Sequence, residues 1–246
     1  MGHNYSQRQM KILILSTDTL HHAYFINRIS KKFPVTAVFY ETRQVKFAFE
    51  TFSPFCDDEK RFEDKMFCRN SHGVLPDGLK LHKVKDVNSP ECIKLIKKYK
   101  PDIGISFGTG KIEPRVFSLF KHGIINVHRG IVNRYRGLDS ELWAIYHNDF
   151  NNIGVTIHFV EKELDKGSIL KMKRIKFSKS DKIFHLRYKT TILAEDMVRG
   201  ILANFDDYNK KIVSQKRSGR YYSAMPSVLK PVCRDKFARF IKSYGK

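Results

Sequence analysis

The sequence of 246 residues predicts an α/β fold, with a doubly wound, mainly parallel sheet followed by a small C-terminal extension. Short branched-apolar runs such as KILILS at 11–16 and VTAVFY at 35–40 are typical of buried strands, and segments of helical character lie between such runs. Later in the chain the pattern changes to two alternating strands and one long helix. Because sheets of this kind bind ligands at the carboxyl ends of their strands, those ends are where a site is expected.

Apolar runs and helix breakers place the individual elements. A helix is expected at 20–32, before Pro34, and residues 43–79 are expected to form an irregular insertion with some helix. The alternation then predicts helix 90–99, strand 102–108, a short helix from 114, strand 123–128 and helix 139–147. The remaining elements are expected to be strands 152–161 and 168–177, helix 182–205, and a hairpin or strand around 212–216 and 219–223.

The chain is predicted to divide into an α/β domain at 1–205 and a basic extension at 206–246. It carries 46 Lys and Arg against 25 Asp and Glu, a formal net charge of +21. Eleven of the basic residues follow residue 208, where Asp235 is the one acid. Such a segment fits a phosphate backbone, the diphosphate of a nucleotide-linked substrate, an anionic membrane or a solvated face, and charge alone does not choose among them.

Composition argues against several classes of protein. The N-terminal residues lack the apolar core of about 7–15 residues that a secretory signal has. No stretch approaches the roughly 20 apolar residues of a membrane span. The four cysteines form no CxxC pair, which argues against a zinc site and a disulfide framework. We therefore expect a cytoplasmic protein with reduced thiols, no membrane span and no metal at its site.

One constellation of polar residues carries chemistry. Asn126 and His128 stand two apart at the end of a predicted strand, so both side chains share one face while Val127 faces away. Asp165 lies in a turn before Gly167, where its carboxylate can meet the imidazole if the sheet topology allows. An amide N–H and a protonated imidazole suit the oxyanion of acyl transfer to an amine, and a carboxylate balances the imidazolium. Each residue alone also has an ordinary explanation as a turn cap, a buried histidine or an Asx-turn.

Four short motifs follow one another within residues 102–169: Asn126-Val127-His128, Tyr135-Arg136-Gly137, His158-Phe159-Val160 and Leu164-Asp165-Lys166-Gly167. In this order they resemble the folate-dependent formyltransferases, the family of glycinamide ribonucleotide transformylase, methionyl-tRNA formyltransferase and the nucleotide-sugar N-formyltransferases. The resemblance implies a Rossmann-like formyltransferase core and 10-formyltetrahydrofolate as the donor. It also implies a catalytic trio of Asn126, His128 and Asp165.

The same resemblance implies that the pterin slot is lined by Lys111, Ile112, Val160, Glu161 and Leu164. Two segments depart from the family pattern. Residues 129–133 read Arg-Gly-Ile-Val-Asn in place of Pro-Ser-x-x-Pro, and residues 138–143 read Leu-Asp-Ser-Glu-Leu-Trp in place of the commoner continuation. Because this loop borders the acceptor side of the pocket in the family, these departures blur the assignment of the acceptor.

Two further features bear on the acceptor amine. About 40 residues follow the long helix, where methionyl-tRNA formyltransferases carry a further barrel domain. The first loop, residues 16–22, lacks the glycines of the phosphate loop in glycinamide ribonucleotide transformylases. The resemblance thus favours a dTDP-, UDP- or GDP-linked amino sugar of bacterial surface polysaccharide (O-antigen) synthesis. The residues expected to contact it are Ser16, Thr17, His21, His22, Tyr24, Arg220 and Tyr222, with Lys216 and Arg217 beside the last two.

Three alternatives stay open from the sequence. In the first, the acceptor is a tRNA or a ribonucleotide. In the second, water replaces the amine, as in a formyl-folate hydrolase. In the third, the chain is a nucleic-acid-binding module that keeps the fold. We favour the amino sugar and expect no nucleic-acid partner. Resemblance to related enzymes, which often pair through their C-terminal portion, also implies a homodimer.

Overall fold

The computed structural model describes residues 10–43, 45–68, 75–215 and 218–244. Within these residues seven strands form one sheet in the order β3-β2-β1-β4-β5-β7-β8, and two short strands, β6 and β9, form a second. The strands are β1 (Ile12–Ser16), β2 (Val35–Glu41), β3 (Lys80–Val84), β4 (Ile103–Phe107), β5 (Ile124–His128), β6 (Tyr135–Gly137), β7 (Gly154–Phe159), β8 (Ile169–Arg174) and β9 (Arg220–Tyr222). The first five strands of the large sheet are parallel, and β7 and β8 are antiparallel to their neighbours. The predicted doubly wound, mainly parallel fold is confirmed.

The helices of the described residues are α1 (Leu20–Ser30), α2 (Cys56–Phe67), α3 (Pro90–Tyr99), α4 (Pro114–Phe117), α5 (Ser140–Tyr146), α6 (Leu186–Ala203), α7 (Phe205–Lys210) and α8 (Lys230–Ser243). Helix α3 has the predicted bounds because its sequence carries both start signals: the Ser89 hydroxyl accepts the Cys92 amide N–H at 3.2 Å, and Pro90 occupies the first turn. None of these helices is long and apolar enough to cross a membrane.

Helices cover both faces of the large sheet. In β1, Ile12 and Ile14 belong to the hydrophobic cluster that includes α1 and α6, whereas Leu13 and Leu15 belong to the cluster that includes α3 and α4. A strand buried on both faces reads as a continuous apolar run, which is why KILILS shows no polar alternation. This double covering leaves the carboxyl ends of the strands as the open edge for a site.

Of the hairpin or strand predicted around 212–216 and 219–223, the strand is confirmed as β9 and the hairpin is wrong. Strand β9 pairs in parallel with β6, more than 80 residues earlier, and Val213 forms a single bridge with Ile169. Lys216 and Arg217 lie outside the described residues. Residues 230–243 of the basic extension form helix α8, which the sequence did not predict and which packs on α5.

Helix α8 shares a hydrophobic cluster with the α/β portion. Cys233 and Phe237 pack in that cluster with Leu142 and Ile145 of α5. The boundary predicted between 205 and 206 therefore divides residues that share a core, and the division into two units stays a prediction. The insertion at 43–79 contains α2, which contacts α1 and α6.

Candidate active site

A cavity of about 390 Å³ lies beside the carboxyl ends of β4 and β5 and the first turn of α1. Asn126 and His128 enter it from β5, while Val127 packs in the core. Asp165 reaches it from the loop between β7 and β8. The structure thus brings the three residues of the predicted trio together at the open edge of the sheet.

The distances within this trio are short. His128 Nδ1 lies 3.7 Å from Asp165 Oδ2, and Asn126 Nδ2 lies 3.5 Å from Asp165 Oδ1. Both side chains of the pair His128 and Asp165 are buried, with 7% and 5% of their surface exposed. An amide, an imidazole and a carboxylate therefore share a largely dehydrated space, where electrostatic interactions are stronger than in water.

The Asp165 carboxylate is held in place by its own backbone and by a neighbour. Asp165 has a φ of 53°, in the left-handed region that Asp tolerates better than most residues. The Gly137 amide donates to Asp165 Oδ2 at 2.8 Å. Burial by itself would raise the pKa of Asp165, but His128, His158 and the Gly137 amide outweigh it and hold that pKa well below its ordinary value. Asp165 is therefore ionised at neutral pH.

The His128 ring is oriented by a carbonyl group. Its Nε2 lies 3.0 Å from the backbone oxygen of Tyr135, which only accepts, so this nitrogen carries a proton and donates it. The Ser140 hydroxyl is also near Nε2, at 3.4 Å. Nδ1 is then the nitrogen that faces Asp165, and it gains a proton when the ring becomes cationic. This arrangement suits a histidine that stabilises charge through one nitrogen while the other fixes its direction.

A second histidine, His158, belongs to the same cluster. It stands directly opposite Asn126 in the antiparallel pairing of β5 and β7. His158 Nε2 lies 3.4 Å from Asp165 Oδ1 and 3.1 Å from Asn126 Nδ2, and Nδ1 lies 2.8 Å from the Phe159 carbonyl oxygen. In the sequence, His158 stands out only as part of the His-Phe-Val motif. Its inward position in an alternating strand was the signal that would have placed it in the site.

We expect the substitution His158→Gln to lower kcat about tenfold, a change of ~1.4 kcal/mol in the barrier, because it removes one of the two imidazoles that hold the Asp165 carboxylate. Steady-state kinetics on the purified variant would measure it. His122→Gln is the matched control, since the His122 ring contacts Phe205 away from the cavity. An unchanged kcat in a folded His158→Gln protein would contradict the role.

Position 137 requires a glycine, because of both its backbone angle and the atoms beside it. Its φ is +86°, and a Cβ added there would lie 2.1 Å from the backbone oxygen of Tyr222. The absence of a side chain lets β6 approach β9 closely while the Gly137 amide points at Asp165. The Tyr-Arg-Gly motif thus supplies the donor that fixes the carboxylate.

Replacing Gly137 by alanine is expected to destabilise the fold by more than the backbone angle alone accounts for. Gly78→Ala is the matched control, because Gly78 has a φ of +77° with no atom within 4 Å of an added Cβ. We expect about 1–2 kcal/mol for the control and a further ~1–3 kcal/mol of overpacking at Gly137. Urea unfolding measures the loss in the free energy of unfolding for both variants. Equal losses would show that β9 accommodates the added Cβ without a cost in stability.

The residues predicted to line the pterin slot all border the cavity. They come from two segments, the turn after β4 and the loop after β7: Lys111, Ile112, Val160, Glu161 and Leu164. Val160 is anchored by its amide, which donates to the Ile124 carbonyl oxygen at 2.7 Å. Buried Ile112 and half-buried Val160 supply apolar surface, and exposed backbone in the loop supplies polar groups. A flat heterocycle fits such a lining, although its contact with these residues stays a prediction.

The residues predicted to contact the acceptor are brought only in part to the cavity. His21 and His22 line it. The Ser16 hydroxyl donates to the Phe107 carbonyl oxygen at 2.7 Å, and Thr17 Oγ1 lies 2.8 Å from His22 Nδ1, so both hydroxyls are used within the fold.

The other three predicted contacts also pack elsewhere. The Tyr24 ring lies 4.6 Å from the Phe67 ring, and the Tyr222 ring stacks on Trp143 at 4.9 Å. The Arg220 guanidinium lies over Tyr222 at 5.4 Å. None of Tyr24, Arg220 and Tyr222 lines the cavity. In β9 it is Tyr221, between the latter two, that faces it.

The two histidines of α1 are uncharged at neutral pH. Burial, with smaller contributions from His22, Arg129 and Arg187, lowers the pKa of His21 well below its ordinary value. Burial and Arg129 lower the pKa of His22 to about 3. Their rings therefore offer hydrogen bonds without net charge, and a phosphate gains no ion pair from them.

Among the lining residues that sequence reasoning did not assign to the site, four stand close to the trio's own segments or to the second sheet: Arg129, Ser140, Glu141 and Tyr221. Arg129, Ser140 and Glu141 belong to the two segments that depart from the family pattern, and Tyr221 belongs to β9. The departures themselves were the available signal for the first three. No local signal marked Tyr221, because its place depends on a strand pairing across more than 80 residues.

The profile of the family described as formyl transferase matches residues 10–198, which include the whole trio. The chain belongs to the formyl transferase family. This confirms the resemblance inferred from the four motifs.

The chain is similar to one curated protein in sequence and to two solved structures in fold. The methionyl-tRNA formyltransferase of Finegoldia magna is 32% identical over 133 residues, which cover 54% of this chain and 42% of the relative. The chain thus spans less than half the length of the curated relatives it matches. A sugar N-formyltransferase from a Shewanella species superposes with a TM-score of 0.60 at 16% identity, covering 92% of this chain and 87% of the other.

The second structure is the formyltransferase PseJ of Anoxybacillus kamchatkensis, in complex with UDP-4,6-dideoxy-4-formamido-L-AltNAc and tetrahydrofolate. It superposes with a TM-score of 0.51 at 18% identity, covering 87% of this chain and 85% of the other. At this identity the likeness shows the shared fold. The fold extends over most of both chains in each of the two structural comparisons.

Proposed function

We propose that the chain is an N-formyltransferase that uses 10-formyltetrahydrofolate as donor and a nucleotide-linked amino sugar as acceptor, in the synthesis of a bacterial surface polysaccharide. The observation that carries the formyl transfer is the convergence of Asn126, His128 and Asp165 in one cavity. That cavity is also bordered by the segments at 111–112 and 160–165, which would hold the folate. Membership of the formyl transferase family supports both assignments.

The folate supplies a formyl group whose carbon forms a bond to the acceptor nitrogen as its bond to the folate nitrogen breaks. The proton lost by the amine balances the one gained by the departing nitrogen. The Asn126 amide N–H and the Nδ1–H of cationic His128 donate to the formyl oxygen as negative charge develops there. Asp165, ionised because of its low pKa, stabilises the cationic His128 and fixes its ring.

The amino-sugar acceptor is favoured by the extent of the structural likeness. The sugar N-formyltransferase from a Shewanella species superposes on 92% of this chain. The methionyl-tRNA formyltransferases match it over about half its length and supply the second candidate acceptor, an aminoacyl-tRNA. A cavity of about 390 Å³ suits a sugar ring beside a pterin.

The test is to mix the protein with 10-formyltetrahydrofolate and a panel of dTDP-, UDP- and GDP-linked 3-amino and 4-amino-6-deoxy sugars, and to follow release of tetrahydrofolate. We expect turnover with at least one sugar. Turnover of methionyl-tRNA in place of every sugar would move the acceptor to tRNA, and formate release without any acceptor would indicate a hydrolase. Binding to DNA with steep salt dependence and no folate turnover would support the nucleic-acid-binding alternative.

A homodimer and a cytoplasmic location are part of the same proposal. Both rest on resemblance to related enzymes and on the sequence, and no contact between copies of the chain carries them. Sedimentation velocity on the full chain would test the dimer. A monomer at micromolar concentration would contradict it.

A further inference from the structure

Two charged residues of the cavity wall have no part in the proposed formyl transfer. Arg129 follows directly on β5, one residue after His128, and Glu141 lies in the first turn of α5. Both line the cavity that holds the trio. Both also stand in the segments where the sequence departs from the family pattern, so their chemistry is a property of this chain.

Glu141 is fixed from behind by the scaffold. The Thr190 hydroxyl of α6 lies 3.0 Å from Glu141 Oε1 and 2.9 Å from the Leu186 carbonyl oxygen, between which it shares its hydrogen, and Arg129 Nε lies 3.9 Å from the same Glu141 oxygen. The Glu141 side chain is only 9% exposed. A buried carboxylate held by a hydroxyl and facing a guanidinium keeps one direction, which is what a recognition site needs.

The other acids near Arg129 are occupied by a second arginine. Arg187 of α6 donates through Nε and Nη2 to Glu63 at 2.7 Å each, and its Nη1 lies 2.8 Å from Glu59. Both acids come from α2, in the insertion at 43–79. Burial raises the pKa of Glu59 to about 7, so part of its charge is absent at neutral pH. Glu141 is therefore the acid paired with Arg129 among the described residues.

The Arg129 guanidinium retains an unused donor. Its Nη1 is buried and has no hydrogen-bond partner among the described residues. A buried N–H without an acceptor is unfavourable, so a shift of the guanidinium towards an acceptor in the cavity, which Arg129 lines with a side chain 26% exposed, would relieve that cost. The neighbouring His21 and His22 are uncharged and add no positive field to attract a phosphate.

The charge of the lining favours an uncharged ligand group. Besides Glu141 and Asp165, the acids Asp139, Glu161 and Glu163 line the cavity, while its cations among the described residues are Arg43, Lys111 and Arg129. A phosphate that bound Arg129 would also meet the Glu141 carboxylate, which lies 3.9 Å from Arg129 Nε and would repel it. A hydroxyl or carbonyl oxygen accepts from Arg129 without that penalty, and a hydroxyl can also donate to Glu141.

We propose that Arg129 and Glu141 determine acceptor specificity by binding an uncharged oxygen of the acceptor beside its amine, such as a ring hydroxyl or an N-acyl carbonyl, and not its phosphates. The inference rests on the proposed function and names the part of the substrate that Arg129 and Glu141 bind. A site built to hydrogen-bond an oxygen discriminates strongly against analogues that lack it. The pair thus selects among amino sugars, while the trio carries out the transfer.

The experiment compares Arg129→Gln with the wild type on the panel member that the wild type turns over fastest. We expect the KM for the amino sugar to rise at least about tenfold, with kcat and the KM for 10-formyltetrahydrofolate each within about threefold. Arg134→Gln is the matched control, since Arg134 lies on the same loop, is exposed and does not line the cavity. Arg129→Lys, which keeps the charge, serves if the glutamine variant fails to fold; we expect the same rise in KM.

A second measurement distinguishes binding of the sugar by Arg129 from binding of its phosphates. The inhibition constant of the free nucleoside diphosphate against the amino sugar should be the same for wild type and Arg129→Gln. A rise in that constant by the same factor as the KM would show that Arg129 binds phosphate and would overturn the inference. If the wild type formylates the sugar and Arg129→Gln has an unchanged KM for it, the inference alone is overturned. Failure of the wild type to formylate any sugar would overturn the proposed function, and this inference with it.

Discussion

The substitution Asp165→Asn is expected to lower kcat at least about a hundredfold while the fold persists. An asparagine can still accept the Gly137 amide N–H through its one oxygen. Its NH2 group then takes the place of Oδ1, 3.4 Å from His158 Nε2, and the oxygen that stays 3.7 Å from His128 Nδ1 belongs to a neutral amide. A donor replaces an anion, so cationic His128 loses the charge that stabilises it. Steady-state kinetics with 10-formyltetrahydrofolate and the acceptor would measure the loss.

The control for this variant is Asp235→Asn, which removes an exposed carboxylate on α8 and should leave kcat unchanged. Unfolding in urea provides a second check on Asp165. Because its pKa in the folded protein is below the unfolded value, the carboxylate stabilises the fold above the unfolded pKa, and that contribution is lost as pH falls through the folded pKa. The stability difference between wild type and Asp165→Asn should therefore be larger at pH 6 than at pH 3. A kcat within threefold of the wild type would remove Asp165 from the mechanism.

The parts of the fold that could be predicted from sequence are those set by local signals. The buried strand 11–16 and helix α3 follow from a continuous apolar run and from a capped, proline-started helix. The common face of Asn126 and His128 follows from the two-residue period of a strand. That Asp165 meets them depends on β7 pairing next to β5, which the sequence left open and the structure supplies.

The parts that could not be predicted depend on contacts distant in sequence. The pairing of β6 with β9 joins residues 135–137 to residues 220–222, and it turns Tyr221 to the cavity and Tyr222 to Trp143. A shift of one residue in a strand exchanges the faces of its side chains, so the prediction of Tyr222 as a contact missed by one position. The buried partners of Arg187 likewise come from an insertion whose mixed charges gave no periodic signal.

The substitution His128→Asn is expected to lower kcat at least about a hundredfold, because it removes both the proton on Nδ1 and the ring that positions it. Asparagine is shorter, so its amide cannot reach both Asp165 and the Tyr135 carbonyl oxygen, which accepts from Nε2 at 3.0 Å. The low pKa of Asp165 is due in part to His128, so that pKa should rise towards its ordinary value in the variant. Steady-state kinetics would measure the loss of kcat. An NMR titration that follows the carboxyl carbon of Asp165 would measure the rise of its pKa.

These two readouts distinguish a role in the reaction from a role in packing. His147→Asn removes an exposed histidine of the same type and should change neither kcat nor the pKa of Asp165. If His128 served only to fill space, its variant would lose stability in urea with kcat nearly intact. A rate close to that of the wild type in a folded His128→Asn protein would refute the assignment. Loss of the rate together with a raised pKa of Asp165 is the result that the buried His128–Asp165 pair predicts, because His128, 3.7 Å away, is one of the groups that hold the pKa of Asp165 low.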